Sequence, residues 1–189
     1  MKASRPIVIK PGDRILLIVG PTSSGKTTLA HKLRDQIPSP KKAVVISHDD
    51  IVQEIANNIH EPKQRDQKFR VMLIERVTKA VADPKNDFII LDTVNISKTA
   101  LNAFLVILNI LIPSFSSQCV LLKTWIPKEK NIEFAIQHYP HEMFAAQLTS
   151  EQINEYESAQ GSLHSNFTNS GLVKSEYVVN PLTSVFELE

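Results

Sequence analysis

Apolar runs alternate with amphipathic segments along most of the chain. Ile15–Val19 is continuously apolar, which is the pattern of a parallel strand covered on both faces of a sheet. Shorter apolar runs predict four further strands, at 43–46, 88–91, 120–122 and 177–179. Strands that alternate with helices imply right-handed crossovers and a mostly parallel sheet. We therefore predict an α/β fold, and because no repeat or linker divides the sequence, we assign residues 1–189 to a single domain.

The segments between these strands have the spacing of helices. Leu29, Leu33 and Ile37 recur every four residues, and the prolines that follow them end this helix. Further helices are predicted at 51–59, 65–82, 99–112 and, as a polar helical region, 127–161. The apolar helix at 99–112, with Ser97 as its candidate cap, is too short to cross a bilayer, so we predict that it is buried. No membrane association is expected, and the N-terminus lacks a signal-peptide pattern, so a cytoplasmic location is the expectation.

The segment after the first of these strands carries the phosphate-binding motif G-x-x-x-x-G-K-[ST]. The match is complete over Gly20, Pro21, Thr22, Ser23, Ser24, Gly25, Lys26 and Thr27, and we expect Thr28 to contact the nucleotide as well. Backbone N–H groups of such a loop wrap a polyphosphate, Lys26 neutralises the β- and γ-phosphates, and the Thr27 hydroxyl is a ligand for Mg²⁺. The motif predicts a site for ATP with Mg²⁺, and GTP stays open as the nucleotide.

Two aspartates follow predicted strands at the same edge of the sheet as this loop. Asp92 ends the third strand, where a carboxylate supports a nucleotide-bound metal, and it joins Thr27 as a predicted Mg²⁺ ligand. Asp49 follows the second strand, where a carboxylate can deprotonate an acceptor hydroxyl. Aspartate is also a common helix N-cap, and this simpler role is open to Asp50. We predict Lys26, Asp49 and Asp92 as the catalytic residues.

Together, three blocks of the sequence resemble the polynucleotide kinase family of P-loop kinases. The blocks are the loop at 20–27, Ile46-Ser47-His48-Asp49-Asp50, and Ile89-Ile90-Leu91-Asp92-Thr93-Val94-Asn95. The resemblance implies a three-layer P-loop NTPase fold with a helical lid at about 127–161 and Asp49 as the general base. It implies that Asp92 contacts the acceptor or the metal shell. Zeta-toxin-like and antibiotic phosphotransferases belong to the same branch.

The sequence departs from the family's pattern at the sites where arginines hold phosphate. The family has an arginine three residues after the first aspartate, where this chain has Val52. The family's lid carries arginines, whereas this lid has Lys128 and Lys130, which supply charge without the bidentate geometry. Either one of these lysines closes over the nucleotide, or Arg65 or Arg70 reaches in from the preceding helix, or transfer is slow.

Charge and composition bear mainly on the partners. The formal net charge is +1, so no global basic field attracts nucleic acid, and Val52 argues against an acceptor with a 3′-phosphate. Nucleic acid stays open as an acceptor, without support from charge. Cys119 is the only cysteine, which fits a reducing compartment.

We expect the protein to transfer the γ-phosphate of ATP to a hydroxyl-bearing acceptor, as polynucleotide 5′-hydroxyl kinases do. One alternative is a small-molecule or nucleotide-sugar kinase of the zeta-toxin-like branch. Another is a nucleotide-binding regulatory module, or an NTPase with weak or no transfer. The missing arginines favour this last reading, whereas the joint presence of Lys26, Thr27, Asp49 and Asp92 favours an enzyme.

Overall fold

The fold is built on a parallel sheet of five strands. In this computed structural model the described residues are 6–56, 61–93, 97–138, 153–154, 156–160 and 163–189. The strands are β1 (Ile7–Ile9), β2 (Ile15–Val19), β3 (Ala43–Ser47), β4 (Phe88–Asp92), β5 (Cys119–Thr124), β6 (Ser175–Val179) and β7 (Phe186–Leu188). The central sheet has the order β3–β4–β2–β5–β6, and β1 pairs in parallel with β7 in a separate two-stranded sheet. The predicted parallel sheet is confirmed.

Helices connect these strands. Within the described residues they are α1 (Lys26–Gln36), α2 (His48–Ala56), α3 (Pro62–Ala82), α4 (Lys98–Leu111), α5 (Phe115–Gln118) and α6 (Lys128–His138), and residues 156–160 are also helical. Ser97 caps α4 as predicted, since its hydroxyl accepts a hydrogen bond from the Ala100 N–H at 3.4 Å. At the start of α2 the Ser47 hydroxyl accepts from the Asp50 N–H at 3.5 Å. The capping role considered for Asp50 therefore belongs to Ser47.

Apolar side chains cover both faces of the central sheet. Ile15, Leu17 and Val19 of β2 lie in one core with residues of α2, α3 and α4. Leu16 and Ile18 lie in a second core with residues of α1, β1 and β7. The alternation follows from the two-residue period of a strand. With helices on both faces the molecule has three layers, which confirms the predicted fold class.

The register of the strands brings their carboxyl ends to one level. Asp92 at the end of β4 lies opposite Ile18 of β2 and Ser47 of β3. Val19, the last residue of β2, lies opposite Lys123 of β5. The loop after β2, the end of β4 and the start of α2 therefore meet at one edge, where ligands of open parallel sheets bind.

Strand β5 carries two buried titratable side chains. Cys119 is fully buried opposite Ile15, and burial raises the pKa of its thiol. Lys123 Nζ donates hydrogen bonds to the Leu163 and Ser165 carbonyls at 3.0 and 2.9 Å and lies 3.6 Å from a carboxylate oxygen of Glu176. Burial lowers the pKa of Lys123, and the negative charge of Glu176 opposes that shift. These contacts fix the segment that leads toward β6.

Three expectations about the elements need correction. The short strands β1 and β7 were not predicted, so β6 is not the last strand. Helix α2 begins at His48 rather than near residue 51, which places Asp49 and Asp50 in its first turn. Helix α4 is buried on one face only, because Ile110 on its other face is 75% exposed.

Some sequence-based predictions fall on residues that are not described. They are the end of the helix predicted through residue 59, the block residues Val94 and Asn95, and residues 139–152, 155 and 161 of the predicted lid. Among the described helices, none combines the length and the apolar character that a membrane crossing requires.

Candidate active site

The loop at 20–27 is shaped by two glycines that have little room for a side chain. Gly25 has a φ of +83° and precedes α1, and a Cβ at this position would lie 3.1 Å from Pro181. At Gly20 a Cβ would lie 3.0 Å from the Thr124 carbonyl oxygen and closer still to the Thr124 hydroxyl. The loop therefore runs directly against the end of β5, as the motif requires for a tight turn.

A pair of buried hydroxyls ties the loop to β5. Ser24 Oγ and Thr124 Oγ1 lie 2.6 Å apart, and Thr124 Oγ1 also donates to the Val19 carbonyl at 3.1 Å. Both side chains are buried. This pair satisfies polar groups that burial would otherwise penalise, and it fixes the loop relative to the sheet.

The two motif side chains that would handle phosphate and metal are both held by hydrogen bonds. Lys26 Nζ donates to the Pro21 carbonyl at 2.7 Å, within the loop itself. Thr27 Oγ1 donates to Asp92 Oδ2 at 2.7 Å. The two oxygens predicted to hold Mg²⁺ are thus brought together from residues 65 apart in the chain.

Asp92 is buried at the end of β4. Burial is the main cause that raises the pKa of this carboxyl, and the nearby charge of Asp49 acts in the same direction. The hydrogen bond from Thr27 and the charge of Lys26 lower the pKa of Asp92 and only partly offset the burial. Because burial disfavours the ionised form of this carboxyl, a cation bound beside it would stabilise the carboxylate.

Asp49 lies in the first turn of α2, with its side chain 84% exposed. Its Oδ1 lies 3.2 Å from Nδ1 of His48. His48 is the first residue of α2, and its ring packs against Phe69 of α3, with centroids 4.5 Å apart. The histidine is therefore held between a carboxylate and an aromatic ring.

These residues line one cleft of about 650 Å³. Its described lining comprises Thr22 to Thr28 of the loop, His48, Asp49, Asp92, Thr93, Ile126, Phe134, Gln137, Pro181 and Leu182. The apolar side chains of the lining are Ile126, just before α6, Phe134 of α6, and Pro181 and Leu182 of the turn after β6. Seven of the predicted nucleotide-binding positions, Thr22 to Thr28, line this cleft together with both predicted catalytic aspartates.

Other candidate residues lie elsewhere. Gly20 and Pro21 line a small cavity behind the loop, together with Trp125, which meets Tyr156 edge to face at 5.5 Å. Lys128 is paired with Glu157 at 2.9 Å. Among the described residues that line the cleft, Lys26 is the only lysine or arginine, so none of the four cations considered as a substitute for the family's lid arginines is found there.

Sequence reasoning missed two polar residues that support the loop. Thr124 ends the apolar run of β5 at the edge where the other candidates lie, and that position was a usable signal. Asn131 on α6 is 0% exposed and donates through Nδ2 to the Thr22 carbonyl at 2.8 Å. No spacing in the polar helix distinguishes Asn131 from its neighbours.

Comparison with known families agrees with this arrangement. The sequence matches the family described as "AAA domain" over residues 15–158. The chain belongs to this family. The match spans the phosphate-binding loop, both aspartates and α6, and the resemblance to P-loop kinases drawn from those blocks is confirmed. No curated protein matches the sequence.

Several solved structures share the fold of this AAA-domain protein. Kti12 from Chaetomium thermophilum, in complex with ADP-AlF3, is 19% identical with a TM-score of 0.58, over 87% of this chain and 88% of that one. A chain of the Pnkp1/Rnl/Hen1 RNA repair complex is 15% identical with a TM-score of 0.57, over 88% of this chain and 49% of that one. Shikimate kinase from Acinetobacter baumannii, in complex with shikimate, is 11% identical with a TM-score of 0.51, over 88% and 84%. At these identities the likeness shows the fold of P-loop kinases.

Proposed function

We propose that the protein is a kinase that transfers the γ-phosphate of ATP to a hydroxyl group of an acceptor. The observation that carries this proposal is the joint presence of Lys26, the Thr27–Asp92 pair and the exposed carboxylate of Asp49 in one cleft. A site for nucleotide binding alone has no need of a second carboxylate beside the phosphates. The fold of P-loop kinases supports the same class of reaction.

In this mechanism the loop and Lys26 bind the donor phosphates. Lys26, which donates to the Pro21 carbonyl within the loop, has three N–H donors with which to contact the β- and γ-phosphates. The helix α1 directs its N-terminus at the same anion, because the loop ends at Gly25 and α1 begins at Lys26. Binding orients the γ-phosphorus toward the part of the cleft where Asp49 lies.

Asp49 is the proposed general base. The acceptor oxygen attacks the γ-phosphorus, the bond from that phosphorus to the β–γ bridging oxygen breaks, and ADP leaves with the bond's electrons. The proton of the acceptor hydroxyl passes to the Asp49 carboxylate. His48 holds that carboxylate from the side, at 3.2 Å, and its ring is itself fixed on Phe69.

The oxygens of Thr27 and Asp92 fit Mg²⁺, which prefers hydroxyl, carboxylate and water oxygens. When bound, Mg²⁺ neutralises charge on the β- and γ-phosphates. The buried carboxylate of Asp92, whose pKa is raised mainly by burial, gains stabilisation from a cation at this place. The GTP alternative stays open, because no described contact is specific for one base.

The lining of the cleft favours an acceptor with a bare hydroxyl rather than one bearing a further phosphate. Lys26 serves the donor, and no second lysine or arginine is found among the described lining residues. Val52 is 42% exposed on α2 and offers no charge. A small-molecule acceptor and an unphosphorylated oligonucleotide end both satisfy this condition.

A second function, a slow NTPase or a nucleotide-binding module, is favoured because the described part of the cleft lining holds no lysine or arginine besides Lys26. An arginine that stabilises the transferring phosphoryl group is worth about 10³–10⁵ in rate. A site that relies on Lys26 alone would turn over slowly, and water would compete as the acceptor.

Transfer of labelled γ-phosphate from ATP, with Mg²⁺, tests the proposal across 5′-hydroxyl oligonucleotides, nucleosides, nucleotide sugars and hydroxylated antibiotics. Lys26→Ala should abolish labelling, and Asp49→Asn should lower the rate by about 10²–10⁴ while ATP still binds. Asp50→Asn is the matched control, because Asp50 follows in the same turn of α2 without lining the cleft. Equal rates for parent and Asp49→Asn would remove Asp49 from the mechanism. Label released only as free phosphate would favour the NTPase.

A further inference from the structure

Asn131, in the first turns of α6, donates a hydrogen bond into the phosphate-binding loop. Its side chain is 0% exposed, and its Nδ2 donates to the Thr22 carbonyl oxygen at 2.8 Å, across 109 residues of sequence. A buried amide costs free energy unless it is hydrogen-bonded. The contact is therefore a built connection between α6 and the loop.

The backbone that leads into α6 is fixed independently of this contact. The Trp125 N–H donates to the Val179 carbonyl at 2.8 Å, which extends the pairing of β5 with β6. The Tyr156 hydroxyl donates to the Ile126 carbonyl at 2.8 Å, and burial is the main cause that raises the pKa of Tyr156 to about 12. Asn131 is thus carried on backbone that is tied to the sheet, and it can position the loop.

The Thr22 carbonyl belongs to the peptide that leads into Ser23. Ser23 lines the cleft and has a φ of +58°, a left-handed conformation that a residue other than glycine adopts only when its surroundings maintain it. The C=O and N–H groups of a trans peptide point in opposite directions. By holding the Thr22 oxygen, Asn131 also sets the direction of the Ser23 N–H.

This bond is made by groups other than those that would contact a phosphate. The Lys26 ammonium, which donates to the Pro21 carbonyl at 2.7 Å, is the side chain that would contact the β- and γ-phosphates. Asn131 does not line the cleft, and a carbonyl oxygen does not bind phosphate, so the bond between Asn131 and Thr22 is compatible with a bound nucleotide.

We propose that Asn131 is a positioning residue for the phosphate-binding loop. Its bond to the Thr22 carbonyl keeps the Ser23 N–H directed at the phosphates of a bound nucleoside triphosphate and couples the loop to α6. The inference rests on the proposed function, since it takes the cleft to be a nucleotide site. Asn131 touches no phosphate and acts through the loop.

The first test compares Asn131→Ala with Asn109→Ala as a matched control. Asn109 is also a structural amide, which donates to the Leu105 and Leu172 carbonyls at 2.9 and 3.0 Å, away from the cleft. Asn131→Ala should weaken ATP binding roughly three- to tenfold, the worth of one hydrogen bond. Asn109→Ala should lower the melting temperature without changing the Kd for ATP.

A second variant, Asn131→Asp, keeps the shape of the side chain and replaces its donor by a carboxylate. An ionised carboxylate cannot donate to the Thr22 carbonyl, whereas a protonated one can. Position 131 is fully buried, and burial raises the pKa of a carboxyl introduced there. The ratio of the Kd of Asn131→Asp to that of the parent should therefore fall toward about 1 as the pH drops from about 8 to about 5. A side chain that only supports folding would show no such recovery, and this readout stands even where Asn131→Ala does not fold.

The outcomes separate the two proposals. A parent protein that binds no ATP overturns the proposed function. A parent that binds ATP, with either Asn131 variant binding it equally well at about neutral pH, overturns the role of Asn131 alone. Weakened binding in Asn131→Ala, with recovery of Asn131→Asp in acid and an unchanged Kd for Asn109→Ala, supports it.

Discussion

The hydroxyl pair of Ser24 and Thr124 allows a quantitative test of how the phosphate-binding loop is held. The side chains are 1% and 2% exposed, and their oxygens lie 2.6 Å apart. Because the single hydroxyl proton of Thr124 is donated to the Val19 carbonyl, Ser24 is the donor within the pair. Thr124→Val therefore leaves a buried hydroxyl and a carbonyl without this partner.

We expect Thr124→Val to lower the free energy of unfolding by about 1–3 kcal/mol, the penalty for a buried polar group left unsatisfied. Ser24→Ala should cost less, about 0.5–1.5 kcal/mol, because Thr124 keeps its bond to Val19. In the double variant no Ser24 hydroxyl remains to be left unpaired. Its cost should therefore fall short of the sum of the single costs by about 1 kcal/mol.

Urea unfolding of the parent, the two single variants and the double variant measures this coupling. The melting temperature should fall by roughly 2–4 °C for each kcal/mol of unfolding free energy lost in a chain of this size. Ser117→Ala is the control, because its hydroxyl donates to the Ser114 carbonyl on an exposed surface and should matter by less than about 0.5 kcal/mol. If the loss of unfolding free energy in the double variant equals the sum of the two single losses within about 0.3–0.5 kcal/mol, the two side chains are not coupled. That result would refute the anchoring of the loop through this pair.

Three further predictions concern stability. Burial is the main cause that raises the pKa of Asp92 in the folded protein. The protonated Asp92 carboxyl therefore contributes to stability at low pH, and this contribution is lost as the pH rises through that pKa. Asp92→Asn should melt above the parent at neutral pH, with the gap closing in acid; a constant gap would contradict this. Gly25→Ala should lower the free energy of unfolding, measured in urea, by about 1–2 kcal/mol, because the φ of Gly25 is +83° and the new Cβ would lie 3.1 Å from Pro181. An unchanged free energy of unfolding would mean that the turn rearranges. On α4, Ile110→Ser should change the free energy of unfolding by less than about 0.5 kcal/mol, because Ile110 is exposed. Leu105→Ala should lower that free energy by about 2–5 kcal/mol, because Leu105 is buried. Equal losses for the two variants would be inconsistent with the burial of this helix on one face.

The sequence predicts the central sheet and the loop well because both signals are local. Ile15–Val19 is apolar at every position because this strand is covered on both faces of the sheet. The phosphate-binding motif that follows it consists of consecutive residues, so it can be recognised directly in the sequence. Asp49 and Asp92 could be placed at the same edge because parallel strands end together. Their roles in catalysis stay predictions.

Features that depend on distant partners were not predictable in the same way. Strands β1 and β7 span three residues each and pair with one another from opposite ends of the described chain. The role of Asn131 depends on a carbonyl 109 residues away. Helix α4 carries apolar residues on its exposed face as well, and for this reason its burial on one face only was not predicted.

The single cysteine has a practical consequence. Cys119 lies at the first position of β5 with no exposed surface, and burial raises the pKa of its thiol, so in the folded protein it presents no reactive thiolate to a reagent in solution. Modification of this thiol requires β5 to separate from its neighbours. The rate at which a thiol reagent labels the protein therefore measures how often the sheet opens, and no engineered probe is needed. A ligand that binds at the opposite end of β5 should slow this labelling, so the labelling rate would also report binding.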